Sequence, residues 1–247
     1  MATLAVSRAL RRPRLWRTVL LAAAIAAGIA GADVFVLAPL TGHFSGAFED
    51  YAAYLGAAQA AAAHTDIYAA FVQQNQNVAL SGFDYPPVVA FVLQPLAWMP
   101  QHVAATAWLL LDVVATFTAC VVVARAVLPE RWPRLELAVV ASFLYAAAPY
   151  NFWHGQMNPF IFLLLALALR SWVRGEEGRC GVFIGVAAAI KLAPLVLLLL
   201  FLRRRWWRGA AAAAGTFAVL AGIGVAAFGV HTSIEYVQSV LPVLGRD

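Results

Sequence analysis

CGVFIGVAAAIKLAPLVLLLLFLRRRWWR, residues 180–208, is two apolar runs joined at Lys191–Pro194 and closed by a basic, tryptophan-containing cluster. Pro194 removes a backbone donor and restrains the residue before it, so the helix breaks there. Each half rises about 15 Å at ~1.5 Å per residue, half of a ~30 Å hydrocarbon core. Two arrangements fit. The halves form a shallow hairpin with the arginines at both ends on one side, or they form one span with one arginine cluster on the far side. Non-helical backbone at membrane depth is tolerated only where protein or a watery cavity satisfies it, so the break points to a cavity.

The rest of the chain agrees with a membrane setting. Of 247 residues, 63% are hydrophobic and 12% charged, against roughly 45–50% and about 25% in soluble domains. An ordinary water-soluble globule, a disordered chain and a disulfide scaffold are excluded. The formal charge of +5 comes from sixteen arginines and one lysine. The arginines cluster at 8–17, 125–134, 170–179 and 203–208, with long apolar runs between them. That is the layout of cytoplasmic loops in a multi-pass protein. No basic face with interleaved aromatics is available to nucleic acid. Cys120 and Cys180 sit inside apolar runs without metal-ligand spacing and read as small buried hydrophobes.

The expected organisation is a single all-α membrane domain over 1–247, a multi-pass helical bundle with a long external first loop. Residues 1–17 form a cytoplasmic basic tail and 18–39 the first span, too long for a signal-peptide core. Residues 40–84, an external loop with short helices, carry Glu49, Asp50, Asp66 and Asp84. No lysine or arginine falls between Arg17 and Arg125, which places this loop outside. Residues 85–229 hold the remaining spans and half-spans, and 230–247 an external tail. Within them, 86–98 is either a short span or a partial helix, and the second reading keeps every arginine cluster on one side. The run 102–127 is full length, 135–148 is a short helix ending at Pro149, 151–158 is a polar break, and 209–229 is a clean final span.

Few residues are equipped for chemistry. Asp50, beside aromatics just beyond the first span, suits general-base work on a hydroxyl. Lys191, an ionisable group in an apolar segment, is a candidate clamp for an anionic headgroup such as a phosphate. Asp112, deep in a span, is neutral, pairs with Lys191 or faces the cavity, with structural pairing the leading expectation. His154, Gln156 and Asn158 form a compact polar patch whose amides can donate to and accept from sugar hydroxyls. Tyr85-Pro86-Pro87 fixes an extended approach to the next helix. Glu49 or Asp50 with Asp84 could hold a hard cation through oxygen. The five histidines are scattered, however, and no metal site and no cofactor are expected.

Several stretches in this order resemble one family. They are Asp50-Tyr51-Ala52-Ala53-Tyr54, Thr65-Asp66-Ile67-Tyr68, Tyr85-Pro86-Pro87, Gln94-Pro95-Leu96, His154-Gly155-Gln156-Met157-Asn158, Gly181–Gly185 running into Ala189–Pro194, and the arginine-tryptophan stretch 203–208. Together they resemble glycosyltransferase family 87. These are multi-span GT-C enzymes related to the polyprenol-phosphate-mannose-dependent α-(1,2)-mannosyltransferases of actinobacteria. The resemblance implies inverting transfer of a sugar, mannose by likeness, from a polyprenyl-phosphate donor to a lipid-linked or glycan acceptor. The reaction would occur on the outer face of the cytoplasmic membrane, with the N-terminus inside. It places the family's acidic base at Asp50, its Gly-Gln-x-Asn at Gly155, Gln156 and Asn158, and its Lys-x-x-Pro at Lys191 and Pro194. Tyr54, Tyr85 and His154 join the expected substrate-binding set. Family members are much longer, so the resemblance also implies missing C-terminal spans, supplied by the rest of a longer chain or by a partner subunit. Two rival functions follow from the residues alone. One is a non-catalytic membrane fragment that binds lipid phosphate or scaffolds a partner; the other is a small transporter.

Overall fold

The computed structural model describes residues 18, 22, 48–69, 82–130, 132–144 and 147–243. The expected first span, 18–39, and residues 70–81 of the first loop lie outside the described residues, save two isolated positions. Among the described residues all regular structure is helical.

The order is α1 (Glu49–Ala62), α2 (Pro87–Leu93) continued by a 3-10 turn (Gln94–Trp98), α3 (Gln101–Val127), α4 (Arg134–Leu144), α5 (Ala147–His154), α6 (Asn158–Val173) and α7 (Glu177–Ile190). A 3-10 turn (Ala193–Leu197) leads into α8 (Leu198–Arg204), and α9 (Trp207–Glu235) ends in a π turn (Tyr236–Val240). Among the described residues two segments, Gln101–Val127 and Trp207–Val240, are long and apolar enough to cross a membrane. Both present large apolar side chains outward, among them Leu110, Leu111 and Val114 on α3 and Val219, Ile223 and Val230 on α9. Such lengthwise apolar faces suit lipid or further helices, not water. Residues 86–98 form a partial helix with Pro87 in its first turn, where a missing N–H costs nothing.

The break at Lys191–Pro194 makes a hairpin. Lys191 is extended (φ −143°, ψ 128°), and the chain then doubles back. Phe201 of α8 is buried with Cys180 of α7 and Ala213 of α9. The arginine clusters flanking this hairpin therefore meet at one end of the body. Trp172 and Trp206 lie 4.4 Å apart there, and the Arg204 guanidinium sits 4.9 Å over the Trp172 ring. α7 lies against α9 through Gly181 and Gly185. A Cβ on Gly181 would collide with the Gly209 carbonyl, and one on Gly185 would come 2.6 Å from that of Ala213. This is the small-residue spacing that lets two apolar helices approach closely.

One expectation fails. Pro149 does not end a helix: it lies within the helical residues Ala147–His154, whose backbone its fixed φ near about −65° suits. The polar break therefore shrinks to Gly155–Met157, with Asn151–His154 helical and Asn158 opening α6.

Candidate functional site

The end of the body opposite the arginines is built on α1. Phe48, at φ 64°, precedes the helix, and its N–H donates to the Trp153 carbonyl at 2.6 Å. This ties the start of α1 to the end of α5. Glu49 and Asp50 occupy the first turn, with Asp50 half-buried. One turn on, Tyr51 and Tyr54 face the Trp108 ring at 5.9 Å and 5.4 Å. The Trp108 indole N–H donates to the Gly155 carbonyl at 2.8 Å. Gly155 has φ 66°, and a Cβ there would meet Tyr51 Cβ at 2.8 Å. Only glycine satisfies both demands.

The polar patch is internally wired. Asn158 Nδ2 donates to Asn151 Oδ1 at 2.9 Å and to Gln156 Oε1 at 2.6 Å. These bonds leave Gln156 Nε2 and Asn158 Oδ1 as the groups with capacity for a ligand. His154 closes α5 immediately before Gly155. The Tyr54 hydroxyl donates to the Tyr85 hydroxyl at 3.1 Å and accepts from Met157 N–H at 3.3 Å. The Tyr68 hydroxyl donates to the Tyr85 carbonyl at 2.7 Å. Burial, reinforced by Asp84 and Asp50, pushes the Tyr54 and Tyr85 hydroxyls well above their ordinary range, although the hydrogen bond from Tyr54 acts the other way on Tyr85. They are therefore protonated donors at neutral pH. Burial lifts Tyr51 to about 12, and its hydroxyl has no hydrogen-bond partner among the described residues.

Asp84 links the charged groups. Burial raises its pKa, the Lys191 ammonium lowers it, and the Asp50 carboxylate raises it again. Asp84 is half-buried, and Ile190 and Leu192, on either side of Lys191, pack against the core cluster that holds Tyr51, Tyr54 and Tyr85. Lys191 is exposed and makes no ion pair among the described residues. Of the readings for Asp112, pairing does not hold: it is fully buried, and neither carboxylate oxygen has a hydrogen-bond partner among the described residues. It sits a turn beyond Trp108 within α3, whereas Lys191 caps the far end of α7. Asp84 was legible as a loop acid and a candidate oxygen ligand but not as a neighbour of the tyrosine pair, and Asn151 and Trp108 only as members of polar or apolar runs. Among the described residues no group of three or more His, Cys, Asp or Glu could hold a metal ion.

The sequence profile of glycosyltransferase family 87 matches residues 83–246. The chain belongs to glycosyltransferase family 87. It is 31% identical over 174 residues to a polyprenol-phosphate-mannose-dependent α-(1-2)-phosphatidylinositol mannoside mannosyltransferase of Mycolicibacterium smegmatis, covering 62% of this chain and 38% of that protein. It is 29% identical over 156 residues to the protein of the same name from Mycobacterium tuberculosis, covering 58% and 36% respectively. The chain thus spans little more than a third of the length of these relatives. No solved structure matches it. The family match takes in Asp84, Tyr85, the 151–158 patch and Lys191, and begins after Asp50 and Tyr54. Those two are joined to the matched body by the Phe48–Trp153, Tyr54–Met157 and Tyr54–Tyr85 bonds.

Proposed function

We propose that this family 87 chain carries the reaction site of a membrane glycosyltransferase. It would move a hexose, mannose by likeness to the named relatives, from a polyprenyl-phosphate donor to a hydroxyl of a lipid-linked or glycan acceptor. The observation that carries this is the hydrogen-bonded junction of α1, which bears Asp50, with the 155–157 turn and its Gln156–Asn158 patch. A candidate base and a candidate phosphate clamp share one end of the body, and the arginines hold the other. Arginines are retained in the cytoplasm, so the site end faces outward in a multi-pass arrangement with the N-terminus inside.

The chemistry needs little more. The Asp50 carboxylate takes the proton of the acceptor hydroxyl as its oxygen attacks the anomeric carbon. The bond from that carbon to the phosphate oxygen breaks on the opposite face, which inverts the configuration. Lys191 meets the charge that grows on the departing phosphate. Gln156 Nε2 and Asn158 Oδ1 orient the sugar hydroxyls, with His154 at the edge of the same patch. The Tyr54–Tyr85 pair holds α1 against the 155–157 turn, which sets the distance between base and sugar.

The test is Asp50→Asn in the full chain, assayed in membranes with labelled polyprenyl-phosphate-mannose. A positioned general base contributes about 10²–10⁴-fold, so turnover falls by that factor at unchanged expression. Undiminished turnover refutes Asp50 as base, and loss on Asp84→Asn instead transfers the role to that carboxylate.

A further inference from the structure

A second polar hollow lies at the same end of the molecule, outside the site just described. It is a cleft of about 420 Å³ between the turn at 64–67, which follows α1, and the last turns of α9. That volume is within the ~300–1,000 Å³ range of small-molecule sites. α9 is interrupted at Gly229 (φ 84°, ψ 168°), so the residues beyond it are re-aimed toward the end of α1. His231, Thr232 and Glu235 come from that segment, and His64 and Asp66 from the turn opposite. Phe228 supplies an apolar wall.

The donor and acceptor inventory selects the ligand. One oxygen of Asp66 accepts the Tyr68 N–H at 2.8 Å, and its other oxygen has no partner among the described residues. Asp66, His231 and Glu235 all line this one cleft. Two carboxylates repel a phosphate or a nucleotide. A neutral, hydroxyl-rich ring is matched instead: carboxylate oxygens accept from neighbouring hydroxyls, imidazoles both donate and accept, and a phenyl face takes the C–H side of the ring. The cleft also adjoins the reaction site. Tyr68 stacks on Tyr236 at 6.0 Å, and Tyr68 bonds the Tyr85 carbonyl behind it. The Tyr68–Tyr236 stack therefore links the segments that line the cleft to the Tyr54–Tyr85 pair.

We propose that this cleft is a second saccharide site, which grips the acceptor glycan at a sugar removed from the hydroxyl that reacts at Asp50. The proposal rests on the transferase reading for the word acceptor, and on the cleft alone for saccharide binding. The experiment has two arms on the full chain in nanodiscs. Saturation-transfer NMR with soluble α-mannotriose measures binding directly, and turnover is measured with a phosphatidylinositol mannoside acceptor. Asp66→Asn keeps the oxygen that accepts Tyr68 N–H, and Glu235→Gln is isosteric, so both preserve the fold. Each is expected to weaken mannotriose binding about tenfold, the loss of one hydrogen bond to a charged group. Each is also expected to raise the acceptor KM similarly, with donor KM and kcat within twofold. Asp50→Asn should leave mannotriose binding intact. Absence of saturation transfer in the wild-type chain overturns the proposal, as do variants that leave mannotriose affinity unchanged. If transfer is lost in Asp50→Asn while the cleft variants behave as wild type in both arms, the transferase reading stands and the cleft falls. If wild-type transfer is absent but Asp66-dependent mannotriose binding persists, the reverse holds.

Discussion

Two glycines with nearly the same backbone conformation offer a controlled measurement of how tightly the site is built. Gly155 has φ 66° and Gly175 φ 72°. Alanine at either pays the left-handed penalty of about 1–2 kcal/mol. The surroundings differ. A Cβ on Gly175 meets nothing within 4 Å, whereas one on Gly155 lies 2.8 Å from Tyr51 Cβ and 3.1 Å from Phe48 Cδ1. Overpacking of this kind adds about 1–3 kcal/mol. At ~2–4 °C per kcal/mol for a chain of this size, Gly175→Ala should lower Tm by roughly 2–8 °C. Gly155→Ala, at about 2–5 kcal/mol in all, should lower it by roughly 4–20 °C. Tryptophan fluorescence during heating is the natural assay, because Trp108 donates to the Gly155 carbonyl. Gly155→Ala should also depress transfer, since Gln156 and Asn158 follow it, while Gly175→Ala at the basic end should not. Equal Tm shifts in the two variants would refute the claim that α1 is clamped on the 155–157 turn.

Two further outcomes follow from the charged groups. Lys191→Ala should raise the donor KM about tenfold or more, as expected for a lost hydrogen bond to a charged group, and leave the acceptor KM within twofold; equal weakening of both removes the clamp. Asp84→Asn tests the buried carboxylate through the pH dependence of stability. Burial, opposed by Lys191, raises its folded-state pKa above the ordinary 3.8, so the folded form keeps a proton that the unfolded chain has released. Stability therefore declines as pH rises from about 3.8 through the raised value and levels off above it. Asp84→Asn should flatten that decline in denaturation curves between pH 4 and 8, and an unchanged slope would show that Asp84 is solvated as in the unfolded chain.

Local pattern made some of this legible. The break at Lys191–Pro194, the length of α3 and the partial helix at 86–98 are dictated by proline chemistry and apolar run length, which act within a few residues. The choice between a hairpin and a span over 180–208 was not legible, because it is decided by Phe201 packing on Cys180, a contact that hydropathy does not encode. Pro149 misled because proline's fixed φ also suits a helix, and here Ala147–His154 is helical on both sides of it. Asp50, Lys191, Gln156 and Asn158 stood out as polar residues in apolar surroundings. Asp84 did not, because it lies among other loop acids and owes its burial to chain segments distant in sequence.

The placement of Asp84 bears on how a phosphate donor could be accepted at all. With both carboxylates ionised, Asp50 and Asp84 outweigh the single ammonium of Lys191, and a lipid phosphate approaching that group meets net negative charge. Burial favours the neutral form of Asp84, and protonating that one group leaves a carboxylate and an ammonium in balance. In that state the phosphate would meet one anion fewer beside Lys191. The fold thus opposes charge at Asp84, in the segment that leads into α2.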